Sequence, residues 1–185
     1  TSNVPGDQTF YYGDTTSSIS STVPKRPGYT FKTWSTKGPQ NNGMRSDLDI
    51  PYNAGLPTYM YRSWHEIIGE NDGRTLNLYA QWTENTYDVT FKPNDNGQRQ
   101  TSTTATGTVT NLKDKKYTAE ITIPEGYTKT GYIFTGWNTK PDGSGTRADT
   151  GKKGNYLPGE VVKGISVTKD SSGNVTGETK TVTLY

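Results

Sequence analysis

One unit is written twice in this chain. Gly28-Tyr29-Thr30-Phe31-Lys32-Thr33-Trp34 returns 103 residues later as Gly131-Tyr132-Ile133-Phe134-Thr135-Gly136-Trp137. Leu76-Asn77-Leu78-Tyr79 returns 106 residues later as Val182-Thr183-Leu184-Tyr185. Two matches at nearly one spacing imply tandem copies that differ by a short indel. Each copy must then close its own core from about half of 185 residues, which limits it to a small fold. The join falls near Thr83-Glu84-Asn85-Thr86, giving one module over 1–84 and a second over 85–185. Copy 2 opens on Tyr87-Asp88-Val89-Thr90-Phe91, an alternating strand, followed by the turn signal Asn94-Asp95-Asn96-Gly97. Copy 1 has no counterpart of that first strand. Copy 2 stops at Tyr185, where copy 1 continues Ala80-Gln81-Trp82 and so completes its last strand. Both ends read as cut from a longer array.

Period-two alternation predicts mainly β structure. Leu76, Leu78, Ala80 and Trp82 share one face, and Tyr87, Val89 and Phe91 share another. Tyr29 and Phe31 point one way, which leaves Trp34 on the opposite parity unless a bulge at Thr33 reverses it. Further strands are expected over 118–123, ended by Pro124, and in a hairpin of 165–169 with 179–184 around Ser171-Ser172-Gly173-Asn174. One helix is expected, about Thr58 to Ile68. There Met60, Trp64, Ile67 and Ile68 make one face, Thr58 caps the start and Gly69 closes the end. It belongs to an insertion over about 57–69 that copy 2 lacks.

Composition sets the kind of core. Ile, Leu, Val and Phe make only 28 of 185 residues, but 13 Tyr and 4 Trp argue against disorder. The 32 threonines suit half-exposed strands. A net charge of +2 gives no electrostatic case for nucleic acid. The absence of cysteine excludes structural disulfides and thiolate chemistry, and a single histidine excludes any metal site built on two. No apolar run approaches the length that inserts into a membrane. No signal peptide opens the chain, which an excised extracellular segment would also lack.

The Gly-Tyr-x-Phe-x-Gly-Trp motif, the Gly-rich turn Gly143-Ser144-Gly145-Thr146 and the closing Leu76 to Trp82 resemble the Listeria–Bacteroides repeat, or internalin B-repeat, family. Phe10 to Asp14, Pro24 and Tyr156-Leu157-Pro158-Gly159 also sit in family order. Thr33 departs from the pattern, since glycine is usual there, and both copies exceed the usual family length. The resemblance implies an α+β fold of two tandem β-grasp-like (ubiquitin-like) modules, with small mixed sheets and little helix. It also implies tandem modules of bacterial surface proteins, often wall-attached, that act as spacers and adhesive elements. Recognised catalytic residues are absent from the family, and no cofactor or metal is implied.

Gly28, Tyr29, Phe31 and Trp34, with Gly131, Tyr132, Phe134 and Trp137, read as the structural frame of the repeat. Small units poor in Leu and Ile must draw their buried area from aromatics, and a shared frame recurs whereas specificity sits where copies differ. Ligand binding is therefore aimed at the insertion of copy 1: Tyr59, Tyr61, Arg62, Trp64 and His65, a Tyr/Arg/His surface of hot-spot composition, with Glu66 beside them. The plain alternative is a helix that covers a sheet. The carboxylate pairs Asp47/Asp49, Asp142/Asp149 and Glu70/Asp72 lie in Gly/Asn/Ser-rich loops, where solvation opposes the raised pKa a glycosidase acid needs. Asp95, Asp142 and Asp170 fall in turns, where aspartate bonds locally. Lys92 is the best-placed lysine for an intramolecular Lys–Asn cross-link, against the simpler reading of a solvated edge lysine.

The expectation is a non-enzymatic, extracellular spacer and adhesion segment, a monomer within a longer array. Its short linker over 83–86 would favour a semi-rigid rod. The partner would be a host or neighbouring-cell surface protein or a glycan. The alternative is a carbohydrate-binding module using the exposed aromatics of the insertion.

Overall fold

The computed structural model describes residues 1–9, 18–35, 51–52, 77–94 and 105–185. The chain divides into two compact units, Thr1–Thr83 and Glu84–Tyr185. Among the described residues the regular structure is all strand, in small sheets. The helix expected at Thr58 to Ile68 lies outside them.

In the first unit, β1 (Tyr29–Ser35) lies between β2 (Pro51–Tyr52) and β3 (Tyr79–Glu84). Trp34 and Ile19 are buried, with Phe31, Leu78 and Ala80 packed against them. The alternation expected of β3 thus puts Leu78 and Ala80 on the core, and Trp82 meets the Phe31 ring at 5.8 Å. The parity problem at Trp34 is solved without a reversal. Thr33, Trp34 and Ser35 are all buried, so this end of β1 is covered on both faces. Phe31 and Trp34 still meet, with ring centroids 5.3 Å apart.

In the second unit, β4 (Thr86–Phe91) is the centre of a three-stranded sheet. On one side lies β5 (Leu112–Lys116), antiparallel; the far side is taken by the closing strand of the chain, Thr181–Leu184, which runs parallel to β4. Tyr87, Val89 and Phe91 are buried as the alternation requires. β6 (Ile121–Thr122) pairs with β7 (Val161–Val162), and β8 (Val167–Lys169) with β9 (Val175–Glu178). The closing strand is numbered β10.

Two expectations are corrected here. The strand expected over 118–123 shortens to β6, although the Ile121 and Ile123 side chains are buried on one face. The hairpin around Ser171–Asn174 takes Val175–Glu178 as its second arm, not 179–184. Asp170 sets that turn, accepting the N–H groups of Ser172 and Asn174 at 2.9 Å each. A tight turn pairs the residues next to it first. Thr181–Leu184 is then free to lie beside β4, where Val182 and Leu184 enter the core.

The repeat is most faithful at its entry turn. Tyr29 N–H donates to Arg26 O at 3.1 Å, and Tyr132 N–H to Lys129 O at 3.0 Å. Gly28 and Gly131 take φ of +76° and +79° there, which L residues resist. In both turns the cation lies over the tyrosine ring, Arg26 at 3.9 Å and Lys129 at 5.0 Å. Tyr132 is 56% exposed and so stands outside the core that Phe134 and Trp137 join.

The copies part at Thr33 and Gly136. Thr33 stays in regular strand within β1, its hydroxyl donating to Trp34 O at 3.1 Å. Gly136 has φ +117°, and a Cβ there would sit 2.8 Å from the carbonyl oxygen of Tyr156. Gly136→Ala should therefore cost the second unit about 2 kcal/mol, the usual size of such backbone strain. Urea unfolding reads it; a variant as stable as wild type would remove the constraint.

Candidate functional site

Tyr59, Tyr61, Arg62, Trp64 and His65 lie outside the described residues. So do Asp47, Asp49, Glu70, Asp72 and Asp95. The repeated frame and the loop that follows it in the second unit are described in full.

Trp137 is the hub of that frame. It is fully buried, and three rings surround it: Phe91 at 4.8 Å, Phe134 at 5.1 Å and Tyr127 at 5.8 Å. Its indole N–H donates to Pro124 O at 2.9 Å. Its backbone exchanges hydrogen bonds with Tyr156, N–H to O at 2.9 Å and the return bond at 2.8 Å. The next residue, Asn138, is buried and knits the Gly-rich turn. Its amide donates to Gly143 O, Gly154 O and Asn155 Oδ1, and its Oδ1 accepts the N–H groups of Lys140 and Gly145, both at 2.9 Å. Asp142 caps the same turn by accepting Ser144 N–H at 2.9 Å.

A second cluster clasps the loop to the sheet. The Arg147 guanidinium forks onto Asp149, Nε to Oδ1 at 3.1 Å and Nη2 to Oδ2 at 2.7 Å. It also forks onto Glu160, with Nη1 donating to Oε2 at 3.0 Å and Nη2 to Oε1. The same Nη1 donates to Asn155 O at 3.0 Å, and the guanidinium lies 4.5 Å from the centroid of Tyr156. Burial pushes the Tyr156 hydroxyl up to about 12, although it accepts Ala148 N–H at 2.7 Å. Asp142 and Asp149, paired only by sequence, thus serve separate elements.

Arg147 holds the Glu160 carboxyl below its ordinary value of 4.5. A lowered carboxylate pKa stabilises the fold above the unfolded-state value, and that stability is lost as pH falls through the folded value. Asp88, Asp142 and Asp170 are shifted the same way by hydrogen bonds from Lys113, Ser144 and Asn174. The urea midpoint should therefore hold from neutrality to about pH 5 and fall below about pH 4.5, near the free glutamate value. Arg147→Met should lower the midpoint at pH 7, and its gap from wild type should narrow as the pH drops. A gap unchanged down to pH 3 would mean that the clasp contributes through packing alone.

The carboxyls of Asp88, Asp142, Glu160 and Asp170 are all held below their ordinary values, whereas a general acid near neutral pH needs an upward shift. Among the described residues no three His, Asp or Glu side chains converge as metal ligands would. Lys92 is exposed, with its ammonium 5.8 Å from the centroid of the Tyr185 ring. Ile133, 89% exposed, and the half-exposed Tyr132 and Leu157 are apolar side chains at the surface of this unit. A shallow groove runs between Thr108–Leu112 and Thr122–Glu125. Neither the Asn138 hub nor the Arg147 clasp was foreseen from sequence. The one signal for them was Asn138 and Arg147 flanking the Gly143–Gly145 turn.

No helix among the described residues is long and apolar enough to cross a membrane. The chain is similar to two proteins of Evansella cellulosilytica. One, named as a Gly-rich membrane protein, is 34% identical over 145 residues, covering 77% of this chain and 14% of the relative. The other, named as a membrane protein, is 29% identical over 130 residues, 69% of this chain and 15% of the relative. The chain thus spans about a seventh of the length of these relatives. No solved structure matches it. The sequence profile of the Listeria-Bacteroides repeat domain matches residues 1–54 and again 87–159. With both copies of the aromatic-glycine frame inside those two matches, the chain belongs to the Listeria-Bacteroides repeat family.

Proposed function

We propose that this chain is a non-enzymatic tandem segment of an extracellular bacterial surface protein, serving as a spacer and adhesion element. The observation that carries the reading is the double family match at 1–54 and 87–159. The same frame occurs twice, and in the second unit polar side chains are tied up in the Asn138 hub and the Arg147 clasp. Relatives named as membrane proteins, several times longer than this chain, suit a segment held at a cell surface. A β-grasp-like reading of the second unit is supported by β4 lying between an antiparallel β5 and a parallel β10.

Adhesion, to a host or neighbouring-cell surface protein or glycan, is assigned to Tyr59, Tyr61, Arg62, Trp64 and His65, where the copies differ. The spacer role is tested by display. Copies of the chain are placed between a wall anchor and a peptide tag on the same cell. Antibody access to the tag should rise stepwise with copy number, and flat access would sink the reading. Adhesion is tested on the same cells: Tyr61→Ala should reduce binding to a glycan or host-protein array. An array blank for wild type removes that half of the proposal.

A further inference from the structure

We infer that the second unit is a force-bearing clamp, built so that a pull on its two ends loads the β4–β10 ladder in shear. The chain enters this unit at Glu84 and goes directly into β4, and the last strand of the unit is β10, which runs out toward Tyr185. The two strands are adjacent and parallel, with Thr181 opposite Asp88 and Leu184 opposite Phe91. Parallel neighbours run the same way. The entry end of β4 and the exit end of β10 therefore lie at opposite ends of one ladder. Pulling on those ends slides one strand along the other, so every ladder bond is strained together. Had the strands been antiparallel, the same pull would open the bonds one at a time.

The ladder is reinforced at both ends. Asp88 N–H donates to Lys180 O at 3.0 Å, and Lys92 N–H to Leu184 O at 2.8 Å, one bond beyond the paired residues on each side. The exit of β10 is also gripped on its other edge. Tyr185 N–H donates to Asn138 O at 2.8 Å, and Asn138 N–H donates to Tyr185 O at 2.9 Å. Water competes poorly for these bonds from the core side, where Val89, Phe91, Val182 and Leu184 are buried. A backbone bond kept from water is lost at full cost when it breaks without a replacement. Forced unfolding is governed by the unfolding barrier rather than by equilibrium stability, and simultaneous rupture raises that barrier. The clamp stands on the ladder geometry; that the chain is pulled through its ends in use rests on the spacer reading.

The test uses the full chain, which has no cysteine of its own. One variant carries Thr86→Cys and a cysteine appended after Tyr185, giving handles at opposite ends of the ladder. The other carries Thr86→Cys and Lys180→Cys, giving handles at the same end. Thr86 and Lys180 are exposed, so both variants should keep the wild-type thermal midpoint. In single-molecule pulling at one loading rate, the first pair should rupture at a force roughly twofold or more above the second, because several backbone bonds yield together. Its extension gain should be roughly 330 Å, the reach of the chain between the handles. Equal forces, or a weaker first pair, would overturn the clamp. Display and pulling fail separately. A strong clamp in a chain that does not extend the tag removes only the spacer reading, and equal forces in a chain that does extend it remove only the clamp.

Discussion

Trp137→Ala should remove a large part of the second unit's stability. The side chain is fully buried among Phe91, Tyr127 and Phe134, so truncation opens a cavity that these rings cannot close without leaving one another. Changes of this kind cost about 3–5 kcal/mol, against a total of about 5–15 for a domain. Urea unfolding followed by circular dichroism measures the loss. A shift under about 1 kcal/mol, the size of an ordinary surface change, would mean that Trp137 is not the hub. A milder pair of variants separates the two copies. Trp137→Phe strips Pro124 O of its donor at 2.9 Å. Trp34→Phe removes an indole N–H that is buried without a hydrogen-bond partner among the described residues. An unmatched buried donor is a liability, and deleting it recovers part of what the lost ring area costs. Trp34→Phe should therefore be the less damaging of the two.

Asn138→Ala should be nearly as severe, at about 3 kcal/mol, since it leaves several buried polar groups unmatched at once. The backbone N–H groups of Lys140 and Gly145 lose their acceptor, and Gly143 O, Gly154 O and Asn155 Oδ1 lose a donor. Water can reach the exposed part of this loop but not Gly145 N–H, which is buried. Asn138→Asp keeps the acceptor but turns a carboxylate oxygen onto Gly143 O, Gly154 O and Asn155 Oδ1, so at neutral pH it should be no milder than alanine. The Gly145 amide should also exchange with solvent faster in Asn138→Ala than in wild type. Unchanged exchange would show that another acceptor replaces Oδ1. The matching residue of the first copy is Ser35, which is too short to span such a turn.

What could be read in advance follows from where information sits in a small β protein. The aromatic-glycine frame was legible because its constraints are local: a turn at Gly131, a buried ring at Trp137, alternation along Tyr87–Phe91. β5 was not, because Leu-Lys-Asp-Lys-Lys carries no alternation of its own and becomes a strand only beside β4. The partner of β10 was not legible either, since a parallel neighbour some 90 residues away leaves no local mark. The Asn138 hub was hidden for another reason. An asparagine before a Gly-rich turn looks like any loop asparagine until Gly143, Gly145 and Gly154 gather around it. The ligand-binding residues proposed in the insertion rest on sequence contrast between the copies.

β5 has a consequence of its own. It is the edge of its sheet, and it carries Lys113, Lys115 and Lys116. It is also kinked: Lys113 and Asp114 together oppose Asp88, with Asp114 at φ +49°. The Asp88 carboxylate holds the irregularity, accepting Asp114 N–H at 3.0 Å and the Lys113 ammonium at 2.7 Å. A polypeptide that repeats one module faces a special hazard, because the surface most able to zip onto a free strand edge is a like module of the same protein. Lysines and a bent rim deny that template a straight row of partners. Replacing Lys113, Lys115 and Lys116 with threonine and Asp88 with alanine should therefore make the protein form fibrils sooner at high concentration.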